Sequence, residues 1–531
     1  MSSNALSSAE INDPKRAHKS DLAILFAIAA ALALLHLLTN DRYGFHRDEL
    51  QFLSDARHLD WGFVSFPPFT PFIEHVALAL FGASIVGLRL TAVIAQFAVV
   101  ILAGLMTKEL GGSRLAQVTA ALAVGFSPLP IFEGHEFQYT SFDLLWWVLA
   151  AYFIVRLLKS GDPRWWVAIG ATLGLGLETK YSIVFYIAGI LLGLVLTSAH
   201  RFLKTGWFWA GVALALLIFL PNFIWLVHHN WVSYTFLQHI HLRDVGEGRA
   251  SGFLSGQFFV CANLAAAPLW IAGFIGYLRD RRYRMIAFMY LVPLAIFWVS
   301  KGRHYYVAPA YPMLLAMGAV RAERWLRTLP RWGRVTIASV YFAGFAFISV
   351  FVRALLLPLA TSGPLKQYAL RHSYDLREEI GWNDLVRTVA QIRDSLPPDQ
   401  QAHLGITTGN YGEYGAIDVL GRAYNLPEPI GTTNSEYLRG FPTPCAHYVH
   451  RYRPHAAAGQ LNLHRMPLGS PQRKLRRCEE RRTPIPPRHL RLRPHAPPLA
   501  RTLEKPSGLR MRSGSSTRLL ANTESLPPDT P

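Results

Sequence analysis

Residues 21–50 read DLAILFAIAAALALLHLLTNDRYGFHRDEL. The first part is an apolar run of about 19 residues, enough at ~1.5 Å per helical residue to cross a bilayer core of roughly 30 Å. The second part sets an acidic pair, Asp48 and Glu49, at the mouth of that span, with Asp55 one to two helical turns on. No small-residue cleavage site follows the run, so it is expected to be a retained membrane segment.

The rest of the chain repeats the pattern. Of its 531 residues 51% are hydrophobic and only 16% charged, and the apolar residues come in long blocks. That composition predicts an all-α polytopic membrane protein. The three cysteines, Cys261, Cys445 and Cys478, give neither a disulfide framework nor a metal-ligand spacing. A net charge of +19 invites a nucleic-acid partner, but residues 451–531 hold 17 Lys and Arg against 5 Asp and Glu, and so +12 of that charge. The basicity belongs to the tail, and no nucleic-acid partner is expected for the membrane body.

Spans are expected at 21–39, 86–107, 115–132, 140–158, 164–178, 181–198, 207–227, 256–278, 285–300, 305–320 and 335–357, about 11 transmembrane helices within 21–360. The pair around Glu178-Thr-Lys-Tyr181 reads either as two spans or as one kinked passage. With 1–20 as a cytoplasmic segment, the connections on that side carry 19 Lys and Arg and the opposite connections 8. The positive-inside rule then puts three loops outside: 41–87, His228–Gly256 and Lys301–His304. Inside loop 41–87, Pro67-Pro68 and Pro71 precede the apolar stretch Phe72–Phe81, which is too short to span and is expected to lie at the interface or re-enter. Residues 361–440 suggest a small extracytoplasmic α/β domain, with a helix over Trp382–Ser395, a stop at Pro397-Pro398 and a strand near His403–Thr408. From 441 to 531 Arg, Pro, His and Ser dominate without periodicity, which predicts a disordered basic tail.

Ionisable groups at membrane boundaries are functional candidates. On the outer side the sequence places Asp48, Glu49, Glu133, His135, Glu136, Asp143, Glu178 and Lys180, then Lys301, Arg303 and His304 ahead of Tyr305-Tyr306. A carboxylate beside a hydroxyl serves as a general base, and cations compensate a phosphate, arginine in bidentate fashion. Each residue also has an ordinary reading. Asp48 and Glu49 suit a solvated loop, Lys180 suits snorkelling, Asp143 suits a helix cap, and Lys301–His304 suit interfacial anchoring. Glu133, His135 and Glu136 are metal-ligand types without a defining spacing. No metal residues are therefore assigned and no cofactor is firmly implied, with a divalent metal left open. His228-His229 and His239-x-His241 read as loop residues.

Several stretches in order resemble one family: Phe45-x-x-Asp48-Glu49, Trp61-Gly-Phe-Val with Pro67-Pro68, and Gly134-His135 leading to Ser141-Phe-Asp143-Leu-Leu-Trp. Gly174-Leu-Gly-Leu-Glu-Thr-Lys180, Phe219-Leu-Pro221-Asn222-Phe-Ile-Trp225 and Lys301-Gly-Arg-His304-Tyr-Tyr-Val-Ala-Pro-Ala-Tyr-Pro312 continue the set, and Gly409-Asn-Tyr-Gly-Glu-Tyr-Gly-Ala-Ile-Asp418 ends it. Together they cover about 20–440 and resemble the dolichyl-phosphate-mannose protein mannosyltransferase superfamily, more closely the bacterial members of glycosyltransferase family thirty-nine. The resemblance implies a GT-C membrane fold in the bacterial inner membrane, N-terminus cytoplasmic, with an extracytoplasmic active site. It implies a polyprenyl-phosphate-linked sugar as donor, a hydroxyl acceptor in the envelope, contact with membrane lipids, and one inverting displacement. Carried onto this chain, Asp48 is the base and Glu49 its companion. Lys180, Lys301, Arg303 and His304 lie on the lipid-phosphate side with Tyr305 and Tyr306, and Asp143 matches a family position without a role. The alternatives are a secondary transporter and a membrane scaffold. The charges lie at helix ends and the sequence shows no pair of broken helices in repeated halves, which disfavours the transporter.

Two departures stand out. Phe66 precedes Pro67-Pro68 where relatives often carry a polar residue, and the resemblance stops near Gly440. The switch to Arg/Pro/His-rich sequence there reads as a change of reading frame in a GC-rich gene. Translating the other two frames beyond codon 440 is expected to yield a folded-domain continuation in one of them; none in either frame removes this reading.

Overall fold

The computed structural model describes residues 14–402, 404–431 and 433–439, with side chains from residue 19, and the backbone of two strands, Tyr448–Arg451 and His464–Pro467. Helices dominate. Five of them are long and apolar enough to cross a membrane: Lys19–Leu37, Ile85–Glu109, Tyr139–Ser160, Gly206–His228 and Arg331–Leu356. Three more passages are helix pairs bent at short breaks, Arg114–Gly125 with Pro128–His135 (61°), Ile183–Leu196 with Ser198–Lys204 (103°), and Phe253–Cys261 with Leu264–Arg279 (98°).

Among the described residues, length and composition thus give five spans, or eight if each bent pair is one, where the sequence suggested eleven. Every expected span does meet a helix. The difference arises because an apolar run does not report the bends and turns that shorten its helices. Pro128 starts a new helix after the extended Ser127, as proline at a first helical position does. At the 98° break, Asn263 accepts from the Ala265 amide at 2.9 Å and donates to Ser349 Oγ at 3.1 Å. These bends withdraw one argument made above, since broken helices are present. Glu178–Tyr181 is a true turn between the short helices Trp165–Leu177 and Ile183–Leu196. The expected span 305–320 begins as a tight 3-10 segment, His304–Ala310, and continues as Tyr311–Arg327, which is buried without interruption from Tyr311 to Val320. Its apolarity faces protein. A methyl group on Gly273 would strike the Leu314 carbonyl, and one on Gly318 the Leu269 carbonyl, so helices Ala267–Arg279 and Tyr311–Arg327 pack backbone to backbone.

The connections separate into two groups, as the alternation of spans requires. At one end Arg114 pairs with Asp21 (2.7 Å), Arg156 and Lys159 with Glu109 (both 2.9 Å), and Ser113 with Glu323. At the other, loop 41–87 and the residues after 360 close over the bundle. There the Phe69 amide donates to the Glu178 carbonyl (2.9 Å) and Asn222 Nδ2 to the Trp61 carbonyl (2.8 Å). The proline-flanked apolar stretch of this loop is the 13-residue helix Phe69–Phe81.

Residues 361–439 form helices and the first strand of a three-stranded sheet. Helix Trp382–Asp394 ends just before Pro397-Pro398, and the strand at Leu404–Thr407 lies where it was expected. It pairs in parallel with Tyr448–Arg451 (Leu404 opposite Tyr448), which pairs antiparallel with His464–Pro467 (Tyr448 opposite Pro467). Two strands therefore lie inside the segment expected to be disordered, where four-residue runs without alternation, Tyr-Val-His-Arg and His-Arg-Met-Pro, give no strand signal. The rest of 441–531 lies outside the described residues.

Loop and domain share one core: Phe45, Leu50, Phe52, Phe63 and Phe66 pack with Val386, Leu404, Ile406 and Ile417. Phe66, the departure noted above, is buried there, its ring 4.6 Å from that of Phe52. Beneath this core lies a buried ionic latch. Arg89, fully buried in the first turns of Ile85–Glu109, donates to both oxygens of Glu49 at 2.8 Å. It also donates to the Asn40 carbonyl (2.6 Å) and the Gly44 carbonyl (3.1 Å), and lies 3.7 Å from Glu379 of the domain. Glu379 meets His135 Nε2 at 2.7 Å, and His135 Nδ1 meets Asn40 Oδ1 at 2.9 Å. Burial alone would raise the Glu379 carboxyl, but His135 and Arg89 hold it below its ordinary value.

Removing one partner of a buried ion pair leaves an uncompensated charge. Glu49→Gln is expected to lower stability by about 3–5 kcal/mol, read as a lower unfolding midpoint in detergent. Because the Glu379 carboxyl is depressed, its contribution is complete above the ordinary value of 4.5 and fades as pH falls through its lowered one. The midpoint difference between wild type and Glu379→Gln should therefore shrink below pH 4.5; a difference constant with pH contradicts the latch.

Candidate active site

Asp48 and Glu49 open helix Arg47–Arg57, whose start is fixed by a capping box. The Glu49 carboxylate accepts from the His46 amide (2.7 Å) and the His46 ring accepts from the Asp48 amide (3.3 Å). The two acids then diverge. Glu49 is fully buried and its oxygens are engaged by Arg89, His46 and the Phe137 amide (2.9 Å). Asp48 is 31% exposed. Its Oδ1 accepts from the Tyr411 hydroxyl at 2.8 Å, with Arg47 Nε 3.6 Å away, and Oδ2 has no hydrogen bond among the described residues. Adjacent in sequence, the pair has one oxygen free for chemistry.

Tyr411 comes from the domain. It opens helix Tyr411–Leu420, capped by Asn410, and Gly415 lets that helix lie against the Leu50 carbonyl. Seven residues past Asp48, Asp55 is buried under the domain and bonded by Arg439, beside Glu436. Burial pushes both carboxyls up. Asp55 belongs to the docking surface.

The cations come from other elements. Lys180, in the turn after Trp165–Leu177, lies 3.4 Å from Asp143 and over the rings of Tyr139 (5.2 Å) and Tyr306 (5.0 Å). Asp143 is buried and also accepts from Trp147 Nε1 at 2.9 Å, so it fixes the ammonium in place. Arg303 bonds Asp244 at 2.6 Å and the Tyr305 hydroxyl at 3.1 Å. Asp244 also pairs with Arg243 (3.0 Å) and Arg249 (3.8 Å). Burial would raise Asp244, and these arginines, Arg303 foremost, hold it low. With Glu247 taking up Arg249 at 2.8 Å, the cluster keeps one net positive charge. Tyr139 and Tyr305 join the two halves, for Asp48 and Arg303 both lie within electrostatic range of each phenol.

Two predicted residues fall outside this arrangement. Lys301 is exposed in a left-handed turn with φ 55°. The His304 ring, against Gly256 and Tyr305, is held below its ordinary value by burial and by Arg303, and so is neutral near pH 7. Glu133 accepts from Thr140 (2.7 Å) and Ser141 (3.1 Å), and Glu136 from Gln138. Among the described residues no three His, Cys, Asp or Glu side chains stand together as metal ligands. His229 stacks on Trp225 at 4.0 Å.

Arg89, Glu379, Tyr411 and Tyr139 are absent from the sequence-derived site. An arginine inside an apolar run is a signal in itself, and Tyr411 lies in a stretch already singled out. Glu379 and Tyr139 carry no local mark.

Residues 65–225 match the family model described as dolichyl-phosphate-mannose-protein mannosyltransferase. The chain is 25% identical over 389 residues to a lipid A galacturonosyltransferase of Rhizobium johnstonii, covering 71% of this chain and 78% of that protein. It is 26% identical over 271 residues to an undecaprenyl phosphate-alpha-4-amino-4-deoxy-L-arabinose arabinosyl transferase of Pseudomonas fluorescens, 47% of this chain and 48% of that one. Among solved structures, ArnT from Cupriavidus metallidurans bound to undecaprenyl phosphate superposes with a TM-score of 0.52 at 17% identity, over 74% of this chain and 84% of that one. The likeness to bacterial GT-C membrane glycosyltransferases read from the ordered motifs is borne out.

Proposed function

We propose that this chain is an integral membrane glycosyltransferase that moves a pentose or hexose from a polyprenyl phosphate to a hydroxyl acceptor. The observation that carries the reading is Asp48, one oxygen held by Tyr411 and the other without a hydrogen bond among the described residues, within electrostatic range of the two tyrosines, Tyr139 and Tyr305, that Lys180 and Arg303 also approach. Asp48 takes the acceptor proton as the acceptor oxygen attacks the anomeric carbon from the side opposite the leaving group. The bond to the phosphate oxygen breaks, its electron pair leaves with the lipid phosphate, and the configuration inverts. Lys180 and Arg303 compensate the charge growing on that phosphate. Both are already ion-paired, so the site is preorganised and needs no reorganisation at the moment of reaction.

Glu49 positions Asp48 through Arg89. Asp143 positions Lys180, Tyr305 and Tyr306 wall the phosphate side, and Lys301 anchors the loop at the headgroups. The match to a lipid A galacturonosyltransferase favours an envelope lipid as acceptor over glycan or protein. The basic residues gathered at the end away from Asp48 favour a cytoplasmic N-terminus and an extracytoplasmic site in a bacterial inner membrane. The transporter alternative gains no support, since the relatives it matches are sugar transferases.

A deletion strain complemented with variants tests this by mass spectrometry of envelope lipids and glycans. Asp48→Asn is expected to lower transfer by about 10²–10⁴-fold with normal membrane insertion. Lys180→Met should lower it by about 10²-fold or more, the scale of losing one preorganised donor. Undiminished transfer by Asp48→Asn removes the base.

A further inference from the structure

At the end of the bundle away from Asp48, a groove of 590 Å³ opens among helices Arg114–Gly125, Ala267–Arg279, Tyr311–Arg327 and Arg331–Leu356. The volume is that of a ligand site, roughly 300–1,000 Å³. Its walls are apolar, built from Leu115, Leu269, Ala319, Leu326, Ile337 and Phe342, and Arg321 and Arg324 also line it. Neither guanidinium has a hydrogen-bond or ion-pair partner among the described residues. The contrast is with the next turn of the same helix, where Arg327 is paired with Glu323 at 3.1 Å. Glu323 lines the groove as well, and its carboxylate is also engaged by the Ser113 amide (3.0 Å) and hydroxyl, so this acid is already taken. Tyr341 lines the groove too, its hydroxyl buried without a hydrogen-bond partner.

Any crevice between membrane helices is filled by lipid tails. Two guanidiniums and a hydroxyl, unpaired among the described residues, stand beside this one and select what the tail is attached to. A guanidinium matches a phosphate with two parallel hydrogen bonds, and basic pockets between transmembrane helices suit anionic headgroups. We propose that this groove is a second lipid site that binds an anionic diacyl phospholipid. One acyl chain lies along the apolar walls, the phosphate meets Arg321 and Arg324, and the Tyr341 hydroxyl donates to an ester carbonyl. The site is separate from the proposed donor site, shares no residue with it and stands whether or not the chain transfers sugar.

The test uses the full chain in nanodiscs, transferred to detergent and examined by native mass spectrometry after titration with phosphatidylglycerol or phosphatidylcholine. Wild type is expected to retain one phosphatidylglycerol in preference to phosphatidylcholine. Arg321→Gln with Arg324→Gln should weaken that retention by about tenfold or more, the scale of losing a charge-assisted pair, while leaving phosphatidylcholine unchanged. Ala272→Phe, which fills the groove and leaves both arginines, should weaken it as well. Equal retention of the two lipids by wild type overturns the proposal, as does undiminished phosphatidylglycerol binding by the double variant. Displacement of phosphatidylglycerol by sub-stoichiometric undecaprenyl phosphate would overturn the diacyl assignment.

Discussion

One buried guanidinium constrains the loop end of this molecule. Arg89 cannot remain charged in an apolar helix bundle without partners. Its partners come from four places: Asn40 after the first span, Gly44 in the loop, Glu49 at the start of the loop helix, and Glu379 in the domain. Satisfying it draws these segments together, and that closure orients Asp48. The residue next to Glu49 in sequence is then left part-exposed in the first turn of the helix. The domain that supplies Glu379 also supplies Tyr411, so the carboxylate proposed as the base is held by the same closure.

The opposing side is built on the same principle. Lys180 is held by Asp143 and two rings, Arg303 by Asp244 and Tyr305. A cation fixed in this way keeps its direction when water is excluded, and its field is strongest where the local dielectric is low. A phosphate entering the site would share each cation with its resident acid. Arg243 and Arg249 beside Asp244 preserve the surplus of positive charge.

Much of this was legible in the sequence for identifiable reasons. Apolar runs located the helices because membrane crossing demands length and composition. Charge asymmetry sorted the loops into the two groups that the ion pairs display. Asp48 stood out because the ordered family-like stretches run through it, its place at a span boundary alone having an ordinary reading. What stayed hidden depends on tertiary contact. By spacing alone the acidic pair reads as two equivalent carboxylates; the family resemblance ranks them, and the physical difference, one framed acid and one with a free oxygen, comes from the approach of Arg89, forty residues on. His304 reads as a cation until burial beside Arg303 keeps it neutral. Trp165–Leu177 and Tyr311–Arg327 read as ordinary spans because an apolar run does not report where its helix starts and stops, here at 13 and 17 residues.

The central claim is spatial: a lipid phosphate belongs beside Lys180 and Arg303, with its sugar turned toward the free oxygen of Asp48. A cryo-EM structure of the full chain in nanodiscs with undecaprenyl phosphate tests it most directly. The account predicts phosphate density within hydrogen-bonding distance of Lys180 Nζ and the Arg303 guanidinium, with Asp48 Oδ2 facing it across the site. Phosphate density away from both cations, with the site left empty, would contradict it.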